Sequence, residues 1–212
     1  MWLASLAFEV SVLEVVLPAL VGGSVVIPDD RDDLAGVVEL IDREAVTDLQ
    51  ATPALAVGLA ELWASRRPPP ALARVSLDGE NLPAAVLDRL RACLPGVQIG
   101  NHDAPAEAVV EALAASDLLQ LDPHGVGRPL PGTLVRIVDP AGQPVPVGAD
   151  GEVCIGGAGL ATGYSGSSAL DTASFGPDPW GEVEGLYHTR DAGRWRPDGT
   201  VELRGRLHGP PR

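Results

Sequence analysis

The residues able to do chemistry fall in a few short stretches. GNHDAPAE (100–107) sets one imidazole, two carboxylates and an amide around a proline: Asn101, His102, Asp103, Pro105 and Glu107. It follows a short apolar run, GVQI, where a buried strand would end, and loops at strand ends are common binding positions. Three readings are open for it: a working site, a damaged one, or a plain turn. Cys93 and Cys154 are the only cysteines, and His102, His124, His188 and His208 are scattered. No CxxC or Cys/His spacing points to zinc, so no metal is expected and both cysteines read as small core residues. GGAGLATG (156–163) has a glycine spacing like that of a phosphate loop, but it follows a β-like run and opens no evident helix. There is no GxSxG, Walker loop or HExxH motif. All 15 basic residues are arginine, so chemistry that needs a lysine within this chain is absent.

The elements that must position these residues have two textures. Up to about residue 121, helical and strand patterns alternate. Helices are predicted over 9–23, 32–45, 52–65 and 83–95, with Asp33 and Thr52 as N-caps and Pro53 in a first turn. Short strands are predicted at SVVIP (24–28), VTDLQA (46–51), LARVSL (72–77) and GVQIG (96–100). Such alternation implies a mostly parallel sheet. Glu107 opens EAVVEALAAS, which reads as a further helix. Beyond about residue 126, Gly and Pro become dense around β-like runs at 133–139, 152–157 and 200–206, and RPDGT supplies a hairpin turn. The expectation is a mostly parallel α/β subdomain over 1–125 followed by a small antiparallel β subdomain over 126–212. Trp180 and Trp195 are expected in the core of the latter.

Bulk properties exclude several functions. Net charge is −14, which opposes nucleic acid and anionic membrane surfaces as partners. The longest apolar run, in the first 22 residues, is broken by Glu9, Glu14 and Pro18, so no membrane span is expected. Its start has no basic region, so no signal peptide is expected either, and the chain reads as cytoplasmic.

The wording of the segments resembles the adenylation domains of nonribosomal peptide synthetases, in the acyl-adenylate-forming superfamily. GRPLPGTLVRIVDPAGQPVPVGADGEVCIGGAGLATGY (127–164) is the most specific match. LYHTRDAGRWRPDGTVELRGRLH (186–208) is similar to the family's YRTGDL.RW.PDGT.E..GR.D, and 6–28, ATPA (51–54) and LDGENLP (77–83) match further landmarks. GNHDAPAE then falls on the family's N-x-Y-G-P-T-E. The resemblance implies a partial acyl-adenylate-forming core. The family's phosphate loop would lie before Met1, and its mobile C-terminal subdomain with the catalytic lysine after Arg212, so the chain is expected to be truncated.

Family chemistry joins an amino-acid carboxylate to the α-phosphate of ATP, which needs Mg²⁺, a lysine and hydroxyl donors around the growing charge. At the family's adenine-stacking tyrosine stands Asp103, at its glycine Ala104, and at its phosphate-touching threonine Ala106. Asn101, Pro105 and Glu107, a magnesium-associated position, survive. In YHTRD, Tyr187, Thr189 and Asp191 are kept; Asp191 would hold the ribose hydroxyls, and the family's glycine is Arg190. Arg206 matches the ribose-side arginine, and the hinge aspartate is His208. Glu9 stands at the usual substrate-gripping aspartate, Leu13 at an aromatic pocket position, and Thr162 at the arginine after GLA. Plain readings stay open beside these: Asp191 as a turn cap, Arg206 paired with a nearby acid, Glu107 as a helix cap.

The losses fall on chemistry and spare the fold. The resemblance therefore implies a catalytically inactive, truncated adenylation-like domain with no catalytic residues, no metal and no cofactor. Its role would be architectural, docking between neighbouring condensation and carrier domains while another adenylation domain loads the amino acid in trans. Glu107, Asp191 and Arg206 would be vestigial nucleotide-site positions, and Glu9 and Leu13 a remnant of the substrate pocket. The alternatives are a residual nucleotide- or helper-protein-binding module and half of a split amino-acid-adenylating enzyme. An edge left by the missing front predicts an exposed apolar patch, covered by neighbouring domains or by a homodimer.

Overall fold

The structure, a computed structural model, describes residues 1–78, 82–103, 105–108, 113–115 and 125–207. Two compact units divide the chain: Met1–His102 with 115–123, and 103–114 with 124–212.

In the first unit, helix α1 spans Val10–Leu20, α2 Leu34–Arg43, α3 Pro53–Ala64 and α4 Ala84–Cys93. Strands β1 (Asp48–Ala51), β2 (Arg74–Leu77) and β3 (Gln98–Asp103) form a parallel sheet in the order β1-β2-β3. The register is regular, with Leu49 opposite Val75 and Val75 opposite Ile99. The parallel strands are joined by α3 and α4, the crossover that parallel pairing requires. The caps act as the residue types predict: Asp33 accepts from Gly36 N–H at 3.1 Å and Thr52 from Leu55 N–H at 3.2 Å. Each satisfies a helix-start donor that would otherwise be orphaned, contributing about 1 kcal/mol. Val37, Val38, Ile41, Leu59, Leu77 and Leu90 are essentially sealed from solvent, each worth about 1.5–3 kcal/mol of burial.

Two expectations in this unit need correction. SVVIP is no strand: among the described residues it joins no ladder, and it is held by a bond from Trp2 N–H to the Val26 carbonyl at 2.9 Å and by Val26 packing against the core. An apolar run becomes a strand only when another edge accepts its donors. Glu14, read only as a break in an apolar run, is buried. Its two oxygens accept from Leu3 N–H at 3.0 Å and Ala4 N–H at 2.8 Å, folding the first residues back onto α1. Burial raises its pKa, opposed by those two bonds. On the outer side of α1, Val12, Val16, Leu17, Leu20 and Val21 are all at least 46% exposed. Spacings of three and four residues place them on one broad face.

The second unit is an antiparallel sheet ordered β4-β5-β10-β9-β7-β6, with β8 added to β9. The strands are β4 (Leu113–Ala115), β5 (Gly125–Pro129), β6 (Thr133–Val138), β7 (Gly151–Gly157), β8 (Phe175–Pro177), β9 (Gly185–Trp195) and β10 (Val201–Arg206), and helix α5 covers Ser168–Ser174. Val135, Ile137, Val153, Ile155 and Val201 alternate onto one face and pack with Trp195. RPDGT turns β9 into β10: Arg196 N–H meets the Thr200 carbonyl at 2.8 Å, and Gly199 takes φ +80°. At β7's end, Gly157 (φ +118°) lies where a Cβ would come within 2.1 Å of the Gly132 carbonyl oxygen, so glycine is required. That close approach makes GGAGLATG a strand end and turn.

A polar cluster stiffens the hairpin. Glu202, 4% exposed, accepts from Arg194 Nε at 3.1 Å, Arg196 Nε at 3.0 Å and Arg204 Nη1 at 3.0 Å. Burial works against its charge, but the three guanidinium groups outweigh it and hold the carboxyl below its usual range. Trp195, expected in the core, is partly buried and packs against it. Trp180, expected there too, is 36% exposed and stacks under Arg136, whose guanidinium lies 4.2 Å above the ring.

Candidate functional site

β3 runs on through Asp103, so the first half of GNHDAPAE is strand and not loop. Leu77 and Asn101 are ladder partners, and Asn101 is buried. The chain then turns into a short 3₁₀ helix, Ala106–Ala108, that carries Glu107. Where the helix expected from Glu107 would run, Leu113–Ala115 is instead strand β4, with Leu113 opposite Pro129 and Ala114 opposite Arg128 of β5; residues 109–112 lie outside the described ones. Pairing with a sheet edge has overridden helix propensity. Ala104 and His208 also lie outside the described residues.

Glu107 is tied down. Its carbonyl accepts from Ala161 N–H at 2.8 Å, and its carboxylate accepts from the Tyr164 hydroxyl. Tyr164 in turn meets Phe175 edge-on at 5.6 Å between centroids, and Phe175 lies 5.2 Å from Tyr187. Ala106 is exposed on the same turn, where its side chain is a methyl group.

Asp191 and Arg206 are brought together. They are opposite partners in the β9–β10 ladder, and Arg206 Nε lies 3.2 Å from Asp191 Oδ1. Arg206 Nη1 also donates to the Thr189 carbonyl at 2.9 Å. Thr189 is buried; its hydroxyl donates to the Val153 carbonyl at 2.8 Å and accepts from Asp191 N–H at 3.0 Å. The ion-pair reading of Arg206 thus describes a contact that is present, and at Asp191 the cap bond is the one that the Thr189 hydroxyl accepts from the Asp191 N–H.

A bulge sets this geometry. Glu152 faces Ala192 and Cys154 faces His188, so β7 advances two residues (152 to 154) while β9 advances four (192 to 188). The two extra residues push Arg190 to φ +61°, the left-handed region that suits the glycine the family has there. Arg190 N–H is thereby turned onto Glu152 Oε1 at 3.1 Å.

The same bulge assembles a cluster that sequence spacing does not reveal. His188 Nδ1 lies 3.1 Å from Glu152 Oε2 and 3.4 Å from Cys154 Sγ. The bond to Cys154 first, and that to Glu152 next, push the His188 pKa up to about 10, and His188 lowers that of Glu152. Glu152, His188 and Arg190 line a hollow of about 320 Å³ with Thr172, Phe175 and Gly176. The one advance signal was the i, i+2 spacing of Glu152 and Cys154 in a β-like run, which puts both on one sheet face.

Glu9 and Leu13 belong to the first unit. Glu9 precedes α1 as its N-cap residue with no side-chain cap bond, and Leu13 is half-buried one turn on.

Comparison with known proteins follows the same lines. The family model for AMP-binding enzymes matches residues 1–165. Tyrocidine synthase 3 of Brevibacillus parabrevis is 35% identical over 96% of this chain, which spans 3% of that relative. Phosphinothricin tripeptide synthetase PhsB of Streptomyces viridochromogenes is 33% identical over 95% of this chain, which spans 17% of it. Among solved structures, the nonribosomal peptide synthetase FmoA3 in its alpha-methyl-L-serine-AMP-bound form aligns with TM-score 0.88 and 32% identity, over 97% of this chain and 24% of that one. PA1221, a synthetase protein containing adenylation and PCP domains, aligns with TM-score 0.85 and 26% identity, over 96% and 42%. The chain thus spans less than half of each of these proteins, from 3% to 42%. Among the described residues, no helix is long and apolar enough to cross a membrane.

Proposed function

Because the chain belongs to the AMP-binding enzyme family, of which the adenylation domains of nonribosomal peptide synthetases are its similar relatives, we propose that it is an adenylation-like domain that no longer makes an adenylate. Its role is architectural: it docks between neighbouring condensation and carrier domains of one synthetase in the cytoplasm, and another adenylation domain loads the amino acid in trans. One observation carries this reading. The turn that should meet the α-phosphate presents the Ala106 methyl, with Glu107 already engaged by Tyr164. Removing a single transition-state donor costs about 10²–10³ in rate. The apolar face of α1 suits a docking role, and a neighbouring domain, a small helper protein or a second copy would cover it. Residues 1–125 and 126–212 are taken as the two subdomains of this core.

The test is amino-acid-dependent pyrophosphate exchange, by the 212-residue chain and by the natural polypeptide that contains it. No exchange above background is expected from either, and exchange by the polypeptide that is lost on Glu107→Ala would overturn the reading. Carrier loading that appears only when a second adenylation domain is added would support loading in trans.

A second reading has its own observation. The Asp191–Arg206 pair is preserved and partly open to solvent, so the domain retains weak nucleoside binding through Asp191, Arg206 and Glu107. Calorimetry with millimolar AMP decides it: heat that disappears in Asp191→Asn supports residual binding, and no heat dismisses it.

A further inference from the structure

From the convergence of three unlike donors on the bulged sheet face, we propose that Glu152, Cys154 and His188 form a binding site for a zinc-class divalent cation. None of the three is among the residues assigned to adenylate chemistry, although His188 lies in the same stretch of β9 as Thr189 and Asp191. The donors are one carboxylate, one thiol and one imidazole, and their ligand atoms all lie within 4.8 Å of one another. This set suits zinc, which takes S, N and O ligands in a tetrahedron.

The distances match such a site. Tetrahedral bonds of about 2.3 Å to sulfur and about 2.0–2.1 Å to nitrogen and oxygen separate S from N by about 3.5 Å and N from O by about 3.4 Å. The observed separations are 3.4 Å and 3.1 Å. Small movements of side chains on two paired strands would close the set around an ion. A proton fills the place less well. The Nδ1 of His188 can carry a single hydrogen, yet a carboxylate oxygen and a sulfur both face it. A divalent ion at the centre would satisfy all three at once. With a thiolate and a carboxylate as ligands, the site would also be electrically neutral.

The surroundings support the ligands. Glu152 Oε1 is already held by Arg190 N–H, leaving Oε2 to the cluster, and a held carboxylate is a better oriented ligand. Cys154 is fully buried among Val138 and Leu186 and cannot turn to solvent. The His188 side chain is 39% exposed and provides the way in. Three protein ligands would leave a fourth position for water or a small anion, and Glu152 and His188 also line the hollow shared with Arg190.

The test uses the metal-free 212-residue chain titrated with Co²⁺, whose thiolate charge-transfer band reports sulfur ligation. One equivalent should develop the band, and Zn²⁺ should bleach it. Cys154→Ser should abolish the band while Cys93→Ser keeps it. His188→Ala and Glu152→Gln should each weaken binding at least about 10–100-fold, the loss that even indirect ligand partners produce. Circular dichroism confirms that each variant is folded, and an unfolded His188→Ala is replaced by His188→Gln. No band in the parent, or a band that survives Cys154→Ser, would overturn the proposal.

Discussion

Replacing Glu202 with glutamine should cost the second unit a large share of its stability, by an amount the structure sets. Glu202 accepts from three guanidinium groups at 3.0–3.1 Å with its side chain 6% exposed, while those of Arg194, Arg196 and Arg204 are 35, 18 and 47% exposed. Removing one member of a fully buried ion pair costs about 3–5 kcal/mol, because the partner's charge stays behind unpaired. Here the arginines reach water and can be partly rehydrated, so the loss is about 2–3 kcal/mol, below that range. At about 2–4 °C per kcal/mol for a chain of this size, the melting temperature should fall by about 4–12 °C. The effect also has a definite pH dependence. The Glu202 carboxyl titrates lower in the folded state than its usual 4.5. Its stabilisation is therefore complete above that value and lost as pH falls through the lower folded value. Thermal melts of parent and Glu202→Gln should differ fully at pH 7 and converge in strong acid. Melts that coincide at pH 7, or a gap that widens on acidification, would refute the argument that three arginines depend on one carboxylate.

Three further outcomes follow from named contacts. Gly157→Ala would drive a methyl to within 2.1 Å of the Gly132 carbonyl oxygen at φ +118°; chemical denaturation should show a loss of about 2–4 kcal/mol. Arg190→Gly relieves the left-handed backbone at φ +61°; since that conformation costs a side-chain-bearing residue about 1–2 kcal/mol, and glycine returns part of this as unfolded-chain entropy, a gain of about 0.5–1 kcal/mol is expected, with Arg190→Ala unchanged. Glu14→Gln replaces one of two acceptors facing the Leu3 and Ala4 amides with a donor; hydrogen exchange at those amides should accelerate, with a stability loss of about 1–3 kcal/mol.

Much of this fold is readable in the chain because local chemistry and tertiary context agree. Asp33 and Thr52 announce α2 and α3 with the cap bonds they make, and Asp198-Gly199 announces the β9–β10 turn. Where context decides, local reading fails. SVVIP has strand composition but joins no ladder among the described residues, and Leu113–Ala115 has helix composition but is recruited by β5. The candidate site divides in the same way. Asp191, Arg206 and Glu107 were found by the wording of family segments, and neither composition nor spacing singled them out. Glu152, Cys154 and His188 stayed hidden because 34 residues separate Cys154 from His188. Only the register of β7 on β9 makes them neighbours.

The two added residues of β9 have a consequence for how such a chain can change. The hydrophobic face formed by Val135, Ile137, Val153 and Ile155 is built on the β6–β7 ladder, whose register carries no shift. A two-codon deletion at Arg190 would straighten the strand, strip Asp191 from Arg206 and part Glu152 from the Arg190 amide, while the sheet kept its core. Loss of the polar constellation and loss of the fold are thus separable events, and this stretch of β9 is where a lineage could discard the first and keep the second.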